Sequence, residues 1–341
     1  TTDTALLTIS HNFSNGVNTV PMKGSGTTQN HQIDNFVQNN QPKTDVLWVV
    51  DNSCSMSDKQ HLLAGNAQSF ITSANATNGD YQLAVTTSDS LQTSGKYKSD
   101  SYSAYPGTTL YAGEFFGSPK IIKRSDPNPA DALSKNIRVG QCCSDVAEAG
   151  LEGAKLALSN PLLSDTTKPN STFLRADAKL AVIVLSDEED QSPTSSVQYY
   201  VDYFQNLKGA KNTNLFAWHS IVGDSPSGCS ATVSGRSISA VAGKRYIEAA
   251  TRTRGIFRSI CTGDWGRIAN DIGLDAFAAK TQFLLSRTAN PNTLVVTVNG
   301  ATKVRGTDYD YDSATNSIVF RSSSVPPAGA AIKAEYDALC L

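Results

Sequence analysis

The 341-residue sequence is poor in charge, poor in histidine and free of long apolar runs, and each scarcity closes off a class of function. No stretch of about 20 apolar residues is present, so the sequence offers no transmembrane helix. Lys and Arg total 29 against 31 Asp and Glu, a formal charge of −2, which gives no electrostatic reason to expect a nucleic-acid or anionic-membrane partner. His11, His31, His61 and His219 are scattered and form no His-Glu-x-x-His zinc element. There is no Gly-x-x-x-x-Gly-Lys-Ser/Thr loop to cradle a nucleotide phosphate. Gly223, Asp224 and Ser225 are followed by Pro226 and Ser227 where a serine-protease nucleophile needs glycines. The expectation is a protein that is not an enzyme.

No Cys-x-x-Cys pair occurs among the six cysteines, Cys54, Cys142, Cys143, Cys229, Cys261 and Cys340, so a zinc ribbon is excluded and disulfides are expected. Charged residues make up only 18%, and much of the polarity comes from Ser, Thr, Asn and Gly, a surface suited to an extracellular setting. The first residues, Thr-Thr-Asp-Thr, lack the basic and apolar regions of a signal peptide, and the chain reads as a soluble mature form with its targeting segment removed.

What is present is a central alternation of apolar runs with helical periods, the pattern of an α/β doubly wound parallel sheet. Residues 46–50, 180–185 and 215–222 are near-continuous apolar strands, as buried parallel strands should be. Residues 82–86 and 119–123 suit a central strand and an antiparallel edge, and 255–261 a last strand. Helices are expected at about 58–74, 145–158, 195–207, 244–253 and 264–279. Both ends instead show short alternating runs between turn signals, at 5–11, 17–22 and 28–37 and at 294–298, 317–320 and 331–336. Either end alone would bury little, so 1–43 and 282–341 are expected to form one small all-β sandwich in which 44–281 is inserted, or which flanks it. Residues 88–118 make a long loop, whose Tyr97, Tyr102, Tyr105, Tyr111, Phe115 and Phe116 offer aromatic contact area. Asp308, Asp310 and Asp312 lack the glycine and distal glutamate of a calcium loop and read as a strand and turn.

The chemistry concentrates where the first apolar strand meets Asp51, Ser53 and Ser55, an Asp-x-Ser-x-Ser run at the carboxyl end of a parallel strand. Oxygen donors of this kind suit Mg²⁺, Mn²⁺ or Ca²⁺ and suit Zn²⁺ or Cu²⁺ poorly. Neutral hydroxyls leave much of the ion's charge uncompensated, so it stays attractive to a carboxylate brought by a partner.

This run, with the strand before it, resembles the first motif of von Willebrand factor A domains. The resemblance covers roughly residues 44–281 and implies a Rossmann-like sheet carrying a metal-ion-dependent adhesion site. It further implies that Asp187, directly after the strand 180–185, holds the ion, usually through water. The wording of residues 186–190 and 148–154 is similar to secreted bacterial members. The family's middle motif normally supplies a Thr ahead of a helix; here the loop 139–146 has none. Ser144 is the substitute hydroxyl, Asp145 an alternative and Glu148 a weaker one. The implied function is a secreted or cell-surface adhesion protein that binds a protein or glycan partner supplying an acidic group. The alternative is a structural or assembly protein in which the ion only stabilises loops. Cys54 is expected to bridge to Cys142 or Cys143, and neighbouring loops to join Cys229 to Cys261.

Overall fold

The computed structural model describes residues 2–10, 17–25, 30–38, 42–90, 112–141, 148–209 and 212–339. By contacts the chain divides into two units, Thr1–Gln38 with Thr281–Leu341, and Asn39–Lys280. The first three strands are β1 (Thr2–Ser10) and β2 (Val17–Ser25), paired as an antiparallel ribbon, and β3 (His31–Val37).

The Asn39–Lys280 unit then alternates strand and helix. In chain order come β4 (Lys43–Val50), α1 (Ser57–Gly65), α2 (Ala67–Ala76), β5 (Asp80–Thr87), β6 (Ile122–Lys123), α3 (Pro129–Ile137), α4 (Gly150–Ala157), β7 (Lys179–Leu185) and α5 (Val197–Leu207). They are followed by β8 (Phe216–Val222), β9 (Cys229–Val233), β10 (Arg236–Ala240), α6 (Lys244–Arg252), β11 (Phe257–Ser259) and α7 (Trp265–Ala276). Six strands form one sheet in the order β11-β8-β7-β4-β5-β6, parallel except for the antiparallel edge β6. Val46 to Val50 of β4 are all fully buried because both faces of the sheet are covered. Val46, Trp48 and Val50 pack with α1, α2, α3 and α7, while Leu47 and Val49 pack with α4, α5 and α6. The protein is thus a mixed α/β fold, a largely parallel sheet between helices, accompanied by antiparallel sheets.

Two local departures from the sequence expectation have physical causes. The helix expected at 58–74 breaks at Asn66, whose side-chain amide donates to the Leu62 carbonyl and competes with the helical ladder. The helix expected from 145 begins only at Gly150, because Glu148 pairs with Asp89 in an antiparallel bridge and the Ala149 N–H donates to Ser88 O. Gly153 lets α4 close on the sheet: a β-carbon there would lie 2.5 Å from the Thr87 carbonyl oxygen. Unforeseen in the sequence are α3, started by Pro129 in its first turn, and the β9–β10 hairpin, turned by Ser234 and Gly235 at φ 51° and 78°.

The remaining chain holds β12 (Gln282–Leu284), β13 (Val295–Val298), β14 (Ala301–Lys303), β15 (Tyr309–Asp312), β16 (Ser317–Phe320) and β17 (Ala331–Asp337), with one 3-10 turn at Ser322–Ser324. Two antiparallel sheets result, β14-β13-β17-β3 and β12-β16-β15. Both feed one apolar cluster that includes Phe283, Val296, Tyr309, Phe320, Ile332 and Tyr336. Asp308 and Asp310 serve local structure, accepting from the Val304 N–H and pairing with Arg321 respectively.

Candidate metal centre

The strand order reverses between β4 and β7, since the chain leaves β4 for β5 on one side and reaches β7 on the other. In an open α/β sheet the crevice at the carboxyl ends of such a pair is where ligands bind. Asp51 follows β4 there, fully buried, and Ser186 and Asp187 follow β7. One Asp51 oxygen accepts the Ser53 N–H at 2.8 Å and the other accepts the Ser186 hydroxyl at 2.6 Å. The Ser53 and Ser55 hydroxyl oxygens lie 3.1 Å apart, and Ser55 donates to Asp187 Oδ1 at 3.0 Å. The sequence-selected Asp51, Ser53, Ser55 and Asp187 are therefore linked through hydrogen bonds on two neighbouring loops. Ser144 and Asp145 lie outside the described residues, as do Cys142 and Cys143.

Four participants were undervalued or missed by sequence reading. Ser186, fully buried, ties the two loops through Asp51; its adjacency to Asp187 was the available signal. Glu148, weighed as the weaker alternative, accepts the Ser88 hydroxyl at 2.5 Å and shares a hydrogen bond with Asp51. Lys59, in the first turn of α1, donates to the Ser55 carbonyl at 3.0 Å and forms a buried ion pair with Asp187 Oδ2. Gln60 beside it donates to the carbonyls of Asp51 and Gly140, fixing the approach of the 138–140 segment.

The electrostatics are those of crowded, buried carboxylates. Burial, and then the Asp187 charge, push the Asp51 carboxyl up to about 6. Burial, and then the Asp51 charge, push Glu148 up to about 9, so it is protonated at neutral pH and able to donate to Asp51. Such a cluster holds more negative potential than Lys59 alone offsets.

Among the described residues no three His, Cys, Asp or Glu groups stand arranged as a ready metal cage. The donors here differ from that pattern: two hydroxyls, with the carboxylates of Asp51 and Asp187 behind them. This all-oxygen set of hydroxyls and buried carboxylates fits a hard divalent cation and offers no soft ligand. Asp51, Ser53, Ser55 and Asp187 are the residues that would hold it.

Two expectations are corrected. Cys54, expected to bridge to Cys142 or Cys143, carries a free, exposed thiol. Phe115 and Phe116 are not contact aromatics, because both are buried, Phe115 with its ring 5.0 Å from that of Phe173. The remaining loop aromatics, Tyr97, Tyr102, Tyr105 and Tyr111, lie outside the described residues. Cys229 and Cys261 do form a disulfide, with Cα atoms 6.0 Å apart, joining the base of β9 to the end of the β11 segment.

No family model matches the chain, and no curated protein sequence matches it. Among solved structures, proximal thread matrix protein 1 of the mussel byssus is similar at a TM-score of 0.38 and 14% identity, over 73% of this chain. The chain spans 49% of that protein's length. A form of the same byssus protein is described with a zinc-occupied MIDAS motif. The pilus adhesin SpaC of Lactobacillus rhamnosus GG is similar at a TM-score of 0.36 and 10% identity, over 90% of this chain and 43% of its own. The adhesive tip pilin GBS104 of Group B Streptococcus agalactiae is similar at 0.36 and 10%, over 96% of this chain and 92% of its own. No helix among the described residues is long and apolar enough to cross a membrane.

Proposed function

We propose that the chain is a secreted or cell-surface adhesion protein of von Willebrand factor A type. In this reading Asp51, Ser53, Ser55 and Asp187 hold Mg²⁺, Mn²⁺ or Ca²⁺, and the ion captures an acidic group of a protein or glycan partner. The supporting observation is the convergence of two hydroxyls and buried, charge-crowded carboxylates at the point where the strand order reverses. When bound, the cation supplies an electrophilic point for a partner carboxylate. The protein's part is to present hydroxyl donors outward while Asp51, held by Ser53 and Ser186, supports them from behind. Nothing in this arrangement needs a nucleophile or proton relay, and the reading is of a binder and not an enzyme. The two antiparallel sheets with their shared core are read as one small sandwich, with the α/β unit inserted between its two chain segments in sequence.

The test uses Mn²⁺ and acetate as probes. Calorimetry should show Mn²⁺ binding that disappears in an Asp51→Ala, Asp187→Ala double variant. Acetate proton signals should broaden in the presence of Mn²⁺-loaded protein beyond the effect of free Mn²⁺. Undiminished affinity in the double variant sinks the site assignment. Mn²⁺ binding without any acetate effect favours the assembly reading, in which the ion only holds loops together.

A further inference from the structure

Lys59 is an anomaly that the metal reading does not absorb. Its ammonium is almost wholly buried, with side-chain exposure of 5%, and it lies in the first turn of α1. A helix N-terminus is the place where unpaired N–H groups repel a cation, and a buried ammonium carries a large desolvation cost besides. Side chains on a helix lean back toward its N-terminus, which carries the ammonium to the loop that precedes α1. Two acceptors meet it there, the Ser55 carbonyl at 3.0 Å and Asp187 Oδ2. What holds a cation in so unfavourable a position is the anionic field of Asp187 with Asp51 behind it. That is the field on which a divalent ion would draw.

We propose that Lys59 is a tethered counter-ion of this centre: it stands in for part of the metal's charge, keeps the loops assembled without metal, and lowers the affinity for a divalent cation. The inference rests on the metal reading above. Its physical content is that an ammonium and a divalent ion close to one carboxylate repel one another in a poorly screened interior. Ser55 is the shared element, because its carbonyl is committed to Lys59 and its hydroxyl to Asp187. The centre is thereby set for a weakly held, exchangeable ion whose occupancy follows the concentration outside the cell. Sites of the extracellular kind work in that range.

The experiment measures Mn²⁺ binding by calorimetry at neutral pH, and thermal unfolding with and without EDTA, on the full chain and its Lys59→Met, Lys59→Gln and Lys59→Arg variants. The neutral variants should bind Mn²⁺ at least about tenfold more tightly than the wild type. The Arg variant should stay within about threefold. EDTA should barely move the wild-type melting temperature and should lower it clearly in the neutral variants. Neutral variants that fold only when Mn²⁺ is supplied also support the proposal, since the ion then takes the ammonium's place. Equal or weaker Mn²⁺ affinity in the neutral variants overturns it while leaving the metal reading intact. Variants that stay unfolded even with Mn²⁺ overturn it in favour of a purely structural lysine. Absence of Mn²⁺ binding in the wild type and in folded neutral variants removes both readings together.

Discussion

His219 in β8 is fully buried, and its Nδ1 accepts the Ile256 N–H at 3.2 Å. Burial lowers its pKa from 6.5 to about 4; the Asp275 carboxylate, 3.6 Å away, opposes the shift, while Lys179 adds to it. A base depressed in the folded state contributes stability that is complete above the unfolded pKa and is lost as pH falls through the folded one. The window runs from about 6.5 down to 4, and the full effect is worth about 3 kcal/mol. Urea melts of wild type and a His219→Gln variant between pH 7 and pH 4 check this. The wild type should lose about 3 kcal/mol more than the variant across that window; parallel curves would show that His219 titrates normally. At this scale sequence legibility depended on contiguity. Asp51, Ser53 and Ser55 alternate within five residues of one turn, and Asp187 closely follows an apolar strand, so pattern alone picked them out. Lys59 and Glu148 take their character from groups far away in sequence, Asp187 and Asp51. A lysine in a polar helix start gives no hint that its ammonium is buried.

Among the elements, the central strands were readable because burial on both faces writes itself as continuous apolar sequence, as in β4, β7 and β8. The β9–β10 hairpin was not, since its strands are only five residues each and alternate serine or threonine with mostly small residues, a weak period-2 signal. Its placement is nevertheless firm. Val233 and Ile238 are buried in the core on the α1 side of the sheet, Arg236 pairs with Asp58, and the Val241 N–H that follows donates to the Asp187 carbonyl at 2.8 Å. The Cys229–Cys261 disulfide closes a loop with a sequence separation of 32 residues around this hairpin and α6. Loop-closure entropy alone assigns such a bridge about 3–4 kcal/mol. A Cys229→Ser, Cys261→Ser double variant should lose about that much in guanidinium unfolding, with a lower midpoint and a slope raised by the less compact denatured chain. A midpoint shift worth under about 1 kcal/mol would mean that packing and the Asp187 contact hold the hairpin unaided.

For the whole molecule, the consequential pairing is between segments at opposite ends of the chain. β3 lies along β17 for seven residues, and Asp34 on β3 accepts both the Ser286 N–H and the Tyr336 hydroxyl at 2.8 Å. Phe36 places its ring 5.4 Å from that of Phe283. A segment as small as Thr281–Leu341, taken without its Thr1–Gln38 partner, rarely holds more than about 3–5 kcal/mol from its own core. Removing β3 forfeits several ladder hydrogen bonds at about 1 kcal/mol each and leaves Tyr336 and Ser286 without their acceptor. That loss is as large as the whole stability available. Residues 281–341 expressed alone should therefore be unfolded, and joining residues 30–38 to them through a flexible linker should restore a cooperative transition followed by circular dichroism. Residues 39–280 should fold without either end, since the apolar clusters on the two faces of the parallel sheet lie wholly within that stretch. Cooperative unfolding of 281–341 alone would show that β3 is a dispensable addition, and the two ends would then have no energetic reason to be read as one domain.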